Sequence, residues 1–199
     1  FTPGTTGLRE AVSALLGNLR SPALWVIYTQ GFLTMGGFVA LYNFLGFHLA
    51  APPFSLPIWL ASFIFLAYLA GTLSSPRAGA LASRYGRKPV LITGNLVMMA
   101  GTAATLVPNL WVIIFGTVVL TAGFFASHAV ASGWAGARAV GGRSQSASLY
   151  NLGYYGGSSV FGFLGGTFLY LAGWPGTVAM VLVLTALATL LVVTVLPRN

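Results

Sequence analysis

Three long stretches of this chain contain no Lys or Arg, and they constrain the fold more than any other feature. They are residues 21–76, 89–137 and 144–197. Each is long enough for two membrane spans of about 20 residues and a turn. Charged residues make up 5% of the chain and hydrophobic residues 57%, whereas a soluble domain has about 25% charged residues. Because so few charges cannot cover a water-exposed surface, the sequence predicts an integral membrane protein.

A turn signal lies near the middle of each stretch, so the stretches read as three helical hairpins that start and end on one basic side. The signals are Ala51-Pro52-Pro53, Val107-Pro108-Asn109 and Gly173-Trp174-Pro175. The positive-inside rule predicts that this basic side, with both termini, is cytoplasmic. The expected location is therefore the inner (plasma) membrane, crossed several times. The basic residues of the cytoplasmic side account for the net charge of +8. We therefore expect the lipid bilayer, and no nucleic acid, as a partner.

The pattern predicts an all-α polytopic fold with six transmembrane helices in residues 21–199. The expected spans, numbered 1 to 6, are residues 22–48, 57–75, 89–107, 110–137, 144–172 and 176–196. Prolines near several starts occupy positions where the first helical turn tolerates a missing N–H.

Residues 1–20 are predicted to be a cytoplasmic linker that carries a short amphipathic helix. Apolar residues recur at helical spacing over residues 8–19, which is typical of a helix on a membrane surface. A frayed linker is the alternative, because the segment contains glycines. The chain begins with Phe1 rather than Met, so we expect it to be a piece of a longer protein.

The region after span 2 carries the most specific local motif, predicted to form the cytoplasmic loop before span 3. A tight turn there needs glycine where the backbone is left-handed. Basic side chains fit a headgroup layer that is anionic on the cytoplasmic side. The motif residues are Gly79, Leu81, Ser83, Arg84, Gly86, Arg87 and Lys88.

This ordering resembles the loop motif of the major facilitator superfamily, G-x-L-x-D-R-x-G-R-K, with Ser83 in place of the family's aspartate. Further similarity runs through residues 123–128, 148–150 and 154–159, which look like bacterial arabinose-efflux-permease-like and drug-exporter-like members. The resemblance implies the C-terminal six-helix half of a twelve-helix transporter, with the N-terminal half as a missing partner. It also implies that span 5 packs on that partner half. Packing within this bundle is the alternative for the span 5 glycines.

Polar residues at mid-depth form the candidate substrate pathway. Counting 1.5 Å per residue from the basic ends places residues on spans 1, 4 and 5 near the middle of a core about 30 Å thick. Gln30, His128, Asn151 and Tyr155 lie at this depth. Thr34 shares a helix face with Gln30, and Thr121 shares one with His128, so both are included in the candidate pathway. An aqueous cavity would explain why such groups lie in the membrane. The alternatives are that Thr side chains bond to their own helix and that His128 packs instead of carrying a proton.

The function we expect is secondary active transport, with export of small organic compounds by alternating access. Proton coupling is an option, through His128 or through a carboxylate in the absent half. The chain is not expected to be an enzyme: it lacks a phosphate-binding glycine loop, and Ser127 and His128 adjoin on one helix where an intramembrane protease needs them on two. No cofactor or metal is expected. The alternative function is a non-transporting six-helix scaffold or dimerising subunit.

Overall fold

The computed structural model describes residues 7–197, and this part of the chain is helical, without strands. The helices are α1 (Leu8–Leu19), α2 (Pro22–Ala50), α3 (Ile58–Ala61), a 3-10 turn (Ser62–Ala67), α4 (Tyr68–Tyr85), α5 (Arg87–Ala104), α6 (Leu110–Ala137) and α7 (Arg143–Val195). Residues 1–6 of the predicted linker, the side chains of Leu8 and Arg9, and Arg198 lie outside the described part.

Among residues 7–197, four helices are long and apolar enough to cross a membrane. They are Pro22–Ala50, Ile58–Tyr85, Leu110–Ala137 and Arg143–Val195. The second of these joins α3, the 3-10 turn and α4 into one helical rod. The helix α5 begins with Arg87 and Lys88, and these charges lower its mean hydropathy. The all-α membrane class is therefore confirmed.

One glycine interrupts the longest helix. Gly173 has φ 64° and ψ −162° inside α7, so it divides α7 into two segments, α7a (residues 143–172) and α7b (residues 174–195). The predicted turn at residues 173–175 is thus a single-residue break, and Trp174 is already helical. Trp174 is buried, stacks on His48 at 4.7 Å and donates its indole N–H to the Thr105 carbonyl at 3.0 Å.

The predicted loop motif is mostly helix, which corrects the sequence interpretation. The rod that begins at Ile58 runs to Tyr85, ten residues beyond the predicted end of span 2, and α5 begins at Arg87. Gly86, with φ 92°, is the entire connection between α4 and α5. The left-handed turn expected of the motif is therefore real, but it is confined to Gly86.

Two contacts show that the basic segments gather at one end of the bundle. The Lys88 ammonium, at the start of α5, donates to the carbonyls of Val193 and Leu196 at the end of α7. The Asn18 side chain of α1 donates to the Gly142 carbonyl at 3.2 Å and accepts from the Val140 N–H at 2.7 Å. The helix α1, which lies in the segment predicted to be a linker, is therefore docked on the α6–α7 connection.

The helix α2 is the centre of the bundle, because most of its side chains are buried against α6, α7a and α7b. Its contact with α7a depends on Gly157, where a Cβ would collide with the Phe32 carbonyl. Gly153 also faces α2, where a Cβ would lie 3.1 Å from the Tyr28 carbonyl oxygen, a tight contact but not a collision. The alternative of packing within this bundle is therefore correct for these two glycines.

Candidate functional site

Aromatic rings form a continuous cluster across four helical segments of the bundle. Phe38 of α2 stacks on Phe124 of α6 at 4.0 Å, and Tyr68 of α4 lies 5.7 Å from Phe125. On the α7a side, Tyr154 lies 4.8 Å from the His128 ring. We call this the aromatic cluster. Its members are Phe38, Tyr42, Phe65, Tyr68, Phe124, Phe125, His128, Tyr150, Tyr154 and Tyr155.

The cluster has a packed side and an exposed side. Phe38, Phe124 and Tyr150 are buried in the bundle. His128, Phe125 and Tyr154 are half-buried, whereas Phe65, Tyr68 and Tyr155 are exposed. The exposed side is therefore not covered by any other part of the chain that the structure describes.

His128 lies within the cluster, between α6 and α7a. Its Nδ1 is 2.9 Å from the Tyr150 hydroxyl. The Phe124 ring stacks on the imidazole with centroids 5.9 Å apart. Contacts with Tyr150 and Tyr154 of the next helix therefore hold the histidine in place.

Gln30 lies instead in the packed interior, 1% exposed. Its amide donates to the Asn95 side-chain oxygen at 2.8 Å, and the Asn95 amide donates back to Gln30 at 3.1 Å. The Asn95 amide also donates to the Thr189 hydroxyl at 3.1 Å. This network links α2, α5 and α7b. It occupies both the amide N–H and the amide oxygen of Gln30, which are the groups with which Gln30 was predicted to contact a substrate.

Thr34 and Thr121 are buried as well, and both donate to their own helix. The Thr34 hydroxyl donates to the Gln30 carbonyl at 2.7 Å, and the Thr121 hydroxyl donates to the Thr117 carbonyl at 2.7 Å. Thr121 also lies 2.6 Å from the Tyr42 hydroxyl. These are the self-bonded threonines of the alternative interpretation.

Asn151 and Tyr155 project from α7a, and both are exposed, Tyr155 to 65%. The six predicted pathway residues thus fall into two groups. The structure places His128 and Tyr155 in the accessible part of the aromatic cluster, and it places Asn151 next to the cluster, one helical turn before Tyr155. It places Gln30, Thr34 and Thr121 behind that surface.

The motif residues border a cavity of about 420 Å³ at the basic end. Gly79, Ser83, Gly86 and Arg87 line it on one side, and Val130 of α6 is among the residues on the other. The Ser83 hydroxyl donates to the Gly79 carbonyl of its own helix at 3.1 Å. Leu81 is exposed, and Arg84 lies over the Tyr85 ring at 5.1 Å.

Sequence reasoning missed Asn95 and the aromatic residues of α2, α4 and α6. Asn95 carried a usable signal, since an amide in the middle of an apolar span must find a hydrogen-bond partner. The aromatic residues carried none, because the sequence does not show which of many Phe and Tyr rings meet across helices.

Residues 24–199 match the family model described as Major Facilitator Superfamily. The uncharacterized MFS-type transporter YybF of Bacillus subtilis is 39% identical over 181 residues, which are 91% of this chain and 45% of that protein. An uncharacterized transporter of Buchnera aphidicola (Schizaphis graminum) is 37% identical over 96% of this chain and 46% of its own length. The inner membrane transport protein YnfM of Escherichia coli is 44% identical over 86% of this chain and 41% of its length. The chain spans less than half of the length of each of these three relatives.

Proposed function

We propose that this chain, which belongs to the major facilitator superfamily, is the C-terminal six-helix half of a secondary transporter. The relatives that it matches are transporters and not enzymes. The transporter would move small organic compounds by alternating access, through rocking of two such halves around a shared pathway. The coverage of less than half of each relative supports a second half of similar size.

Six spans follow if each helical segment crosses the membrane once. The break at Gly173 turns α7 into two spans of membrane-crossing length, and α5 provides the remaining one beside the rods Pro22–Ala50, Ile58–Tyr85 and Leu110–Ala137. Residues 1–20 would then be the linker, and residues 21–199 the bundle. The basic end, defined by the Lys88 and Asn18 contacts, would face the cytoplasm of the cell whose inner membrane holds the protein.

The aromatic cluster is the observation that carries the proposed pathway. Its rings come from α2, α4, α6 and α7a, and its accessible side combines flat apolar surface with the polar atoms of His128 and Tyr155. Such a surface fits a small organic compound, since binding sites are mostly apolar with few placed polar groups. Asn151 would add an amide near this surface. Gln30, Thr34 and Thr121 would support the wall from behind.

The direction of transport and its coupling are further parts of the proposal. Export is supported by the resemblance to drug-exporter-like members. The one acidic residue of the chain is Glu10, which lies in the surface helix α1. If protons drive transport, the proton site is therefore either His128 or a carboxylate of the second half.

A transport assay on the full transporter that contains this chain tests the proposal. Everted membrane vesicles are given an energy source, and uptake of two fluorescent probes, ethidium and Nile red, is followed. Tyr155→Ala is compared with Tyr170→Ala, because both tyrosines are exposed on α7a, but only Tyr155 belongs to the aromatic cluster.

We expect Tyr155→Ala to reduce probe uptake several-fold and Tyr170→Ala to leave it unchanged. Loss of an aromatic stacking partner typically weakens binding by about 0.5–1.5 kcal/mol, roughly two- to tenfold. Equal uptake by both variants and the wild type would contradict the pathway. A transporter that moves neither probe in any form would contradict the proposed class of substrate.

A further inference from the structure

Tyr150 is a buried phenol that the proposed pathway does not use directly. Its side chain is 2% exposed, and its hydroxyl lies 2.9 Å from His128 Nδ1. Gly31 of α2 makes room for it, because a Cβ at that position would lie 2.9 Å from the Tyr150 ring and 3.3 Å from its hydroxyl. The hydroxyl is therefore held against one particular nitrogen of the imidazole.

The direction of this hydrogen bond follows from the number of protons available. A phenol has one O–H to donate, and a neutral imidazole has one donor nitrogen and one acceptor nitrogen. Within residues 7–197, the His128 ring is the single hydrogen-bond partner of the Tyr150 hydroxyl. If Nδ1 carried the proton and donated, the phenol O–H would be buried without an acceptor, which is costly. If the phenol donates to Nδ1, its proton is satisfied.

We propose that Tyr150 is a positioning residue that holds neutral His128 in the tautomer with its proton on Nε2. The Phe124 and Tyr154 rings that lie against the imidazole limit its rotation, so the ring keeps one donor nitrogen directed away from Tyr150. His128 then offers an N–H to compounds that carry a hydrogen-bond acceptor, such as a carbonyl or ether oxygen. This last consequence rests on the proposed function, whereas the tautomer does not.

Nitrogen NMR of the whole 199-residue chain in lipid nanodiscs tests the proposal. The chain has two histidines, so ¹⁵N-histidine labelling gives two pairs of imidazole nitrogen signals, and His48→Gln identifies the pair of His128. Spectra are taken at mildly alkaline pH, since the reference pKa of histidine is about 6.5. We expect Nδ1 of the wild type to have the shift of an unprotonated acceptor and Nε2 that of a protonated nitrogen.

Two tyrosine variants separate the hydrogen bond from simple packing. In Tyr150→Phe we expect the two nitrogen shifts to move together, towards the average of mixed tautomers. Tyr154→Phe removes a hydroxyl from a ring that also contacts His128, and it should leave the wild-type pattern intact. A protonated Nδ1 in the wild type, or a wild-type pattern in Tyr150→Phe, would overturn the proposal.

Gly31→Ala supplies an independent test if Tyr150→Phe does not fold. The added methyl group must displace the Tyr150 ring, so the same averaging of shifts is expected, and a wild-type pattern would again overturn the proposal. Because NMR needs no transport, the outcome is separate from the vesicle assay. An intact Nε2–H tautomer in this chain, together with normal transport by Tyr155→Ala in the full transporter, would refute the pathway alone.

Discussion

Gln30 and Asn95 hold each other by a reciprocal pair of hydrogen bonds, at 2.8 and 3.1 Å, between the middle of α2 and the middle of α5. Both side chains are buried, Gln30 to 1% exposure and Asn95 completely. A hydrogen bond to Thr189 extends the contact to α7b. Polar side chains of this kind join helices where lipid offers them no partner.

Replacing either amide with leucine should destabilise the bundle. Gln30→Leu or Asn95→Leu leaves the other amide buried without its partner, and we expect a loss of about 1–2 kcal/mol in the free energy of unfolding. The double variant should be less destabilised than the sum of the single ones. Unfolding by SDS in mixed micelles, followed by circular dichroism, measures this. Thr194→Val, which removes an exposed hydroxyl bonded to its own helix, is the control. Additive losses would show that the amides are not coupled.

Gly157→Ala should separate α2 from α7a. Because a Cβ there would collide with the Phe32 carbonyl, the helices must move apart, and overpacking of this kind costs about 1–3 kcal/mol. Gly46→Ala is the matched control, since nothing lies within 4 Å of a Cβ at Gly46. Thermal unfolding of both variants in the same detergent is the measurement. Equal melting temperatures for the two variants would be incompatible with the close contact described.

The proposed topology predicts which positions react from outside the cell. The chain has no cysteine, so single cysteines can be introduced without a background. Ala51→Cys and Val107→Cys, both exposed at the end opposite Lys88, should react with an impermeant maleimide in intact cells. Ser83→Cys, exposed at the basic end, should react only after the cells are opened. The reverse pattern would invert the proposed orientation.

We also predict that the 199-residue chain alone does not transport. In the proposed mechanism this chain would supply one wall of the pathway, and alternating access would need the proposed second half. Vesicles that contain the chain alone should show no saturable uptake of ethidium or Nile red above empty vesicles. The full transporter, reconstituted in parallel, is the positive control. Saturable uptake by the chain alone would favour a homodimeric transporter.

Much of the fold could be predicted from charge and turn residues. The span predicted for residues 110–137 coincides with α6 (Leu110–Ala137), and Pro22 and Gly173 mark a helix start and the break in α7. The extension of α4 to Tyr85 could not be predicted from composition, because residues 76–85 carry charges, a proline and a glycine that are typical of a loop. In the structure α4 continues through these residues, and Gly86 alone separates it from the start of α5.

The candidate site was harder to predict, for a geometric reason. Counting residues along a helix gives the depth of a side chain but not the direction in which it points around the helix axis. Gln30 and Tyr155 were placed at similar depth, yet one is buried against Asn95 and the other is exposed. The direction of a side chain depends on which faces of neighbouring helices pack together. The periodicity of a single sequence does not reveal which faces these are.

The polar contacts between the long helices have an electrical consequence. Among residues 22–76, 89–137 and 144–195, as the structure describes them, the side-chain groups that join the long helices along their middle portions are amides, hydroxyls, phenols and one imidazole. A membrane potential acts on formal charge, at about 2.3 kcal/mol per elementary charge for each 100 mV. In the proposed mechanism, a movement of these middle portions within the bilayer therefore carries no formal charge of their joining side chains through the field. Voltage dependence of transport would then arise in the proposed second half, in the charge of the compound carried, or in a proton bound at His128.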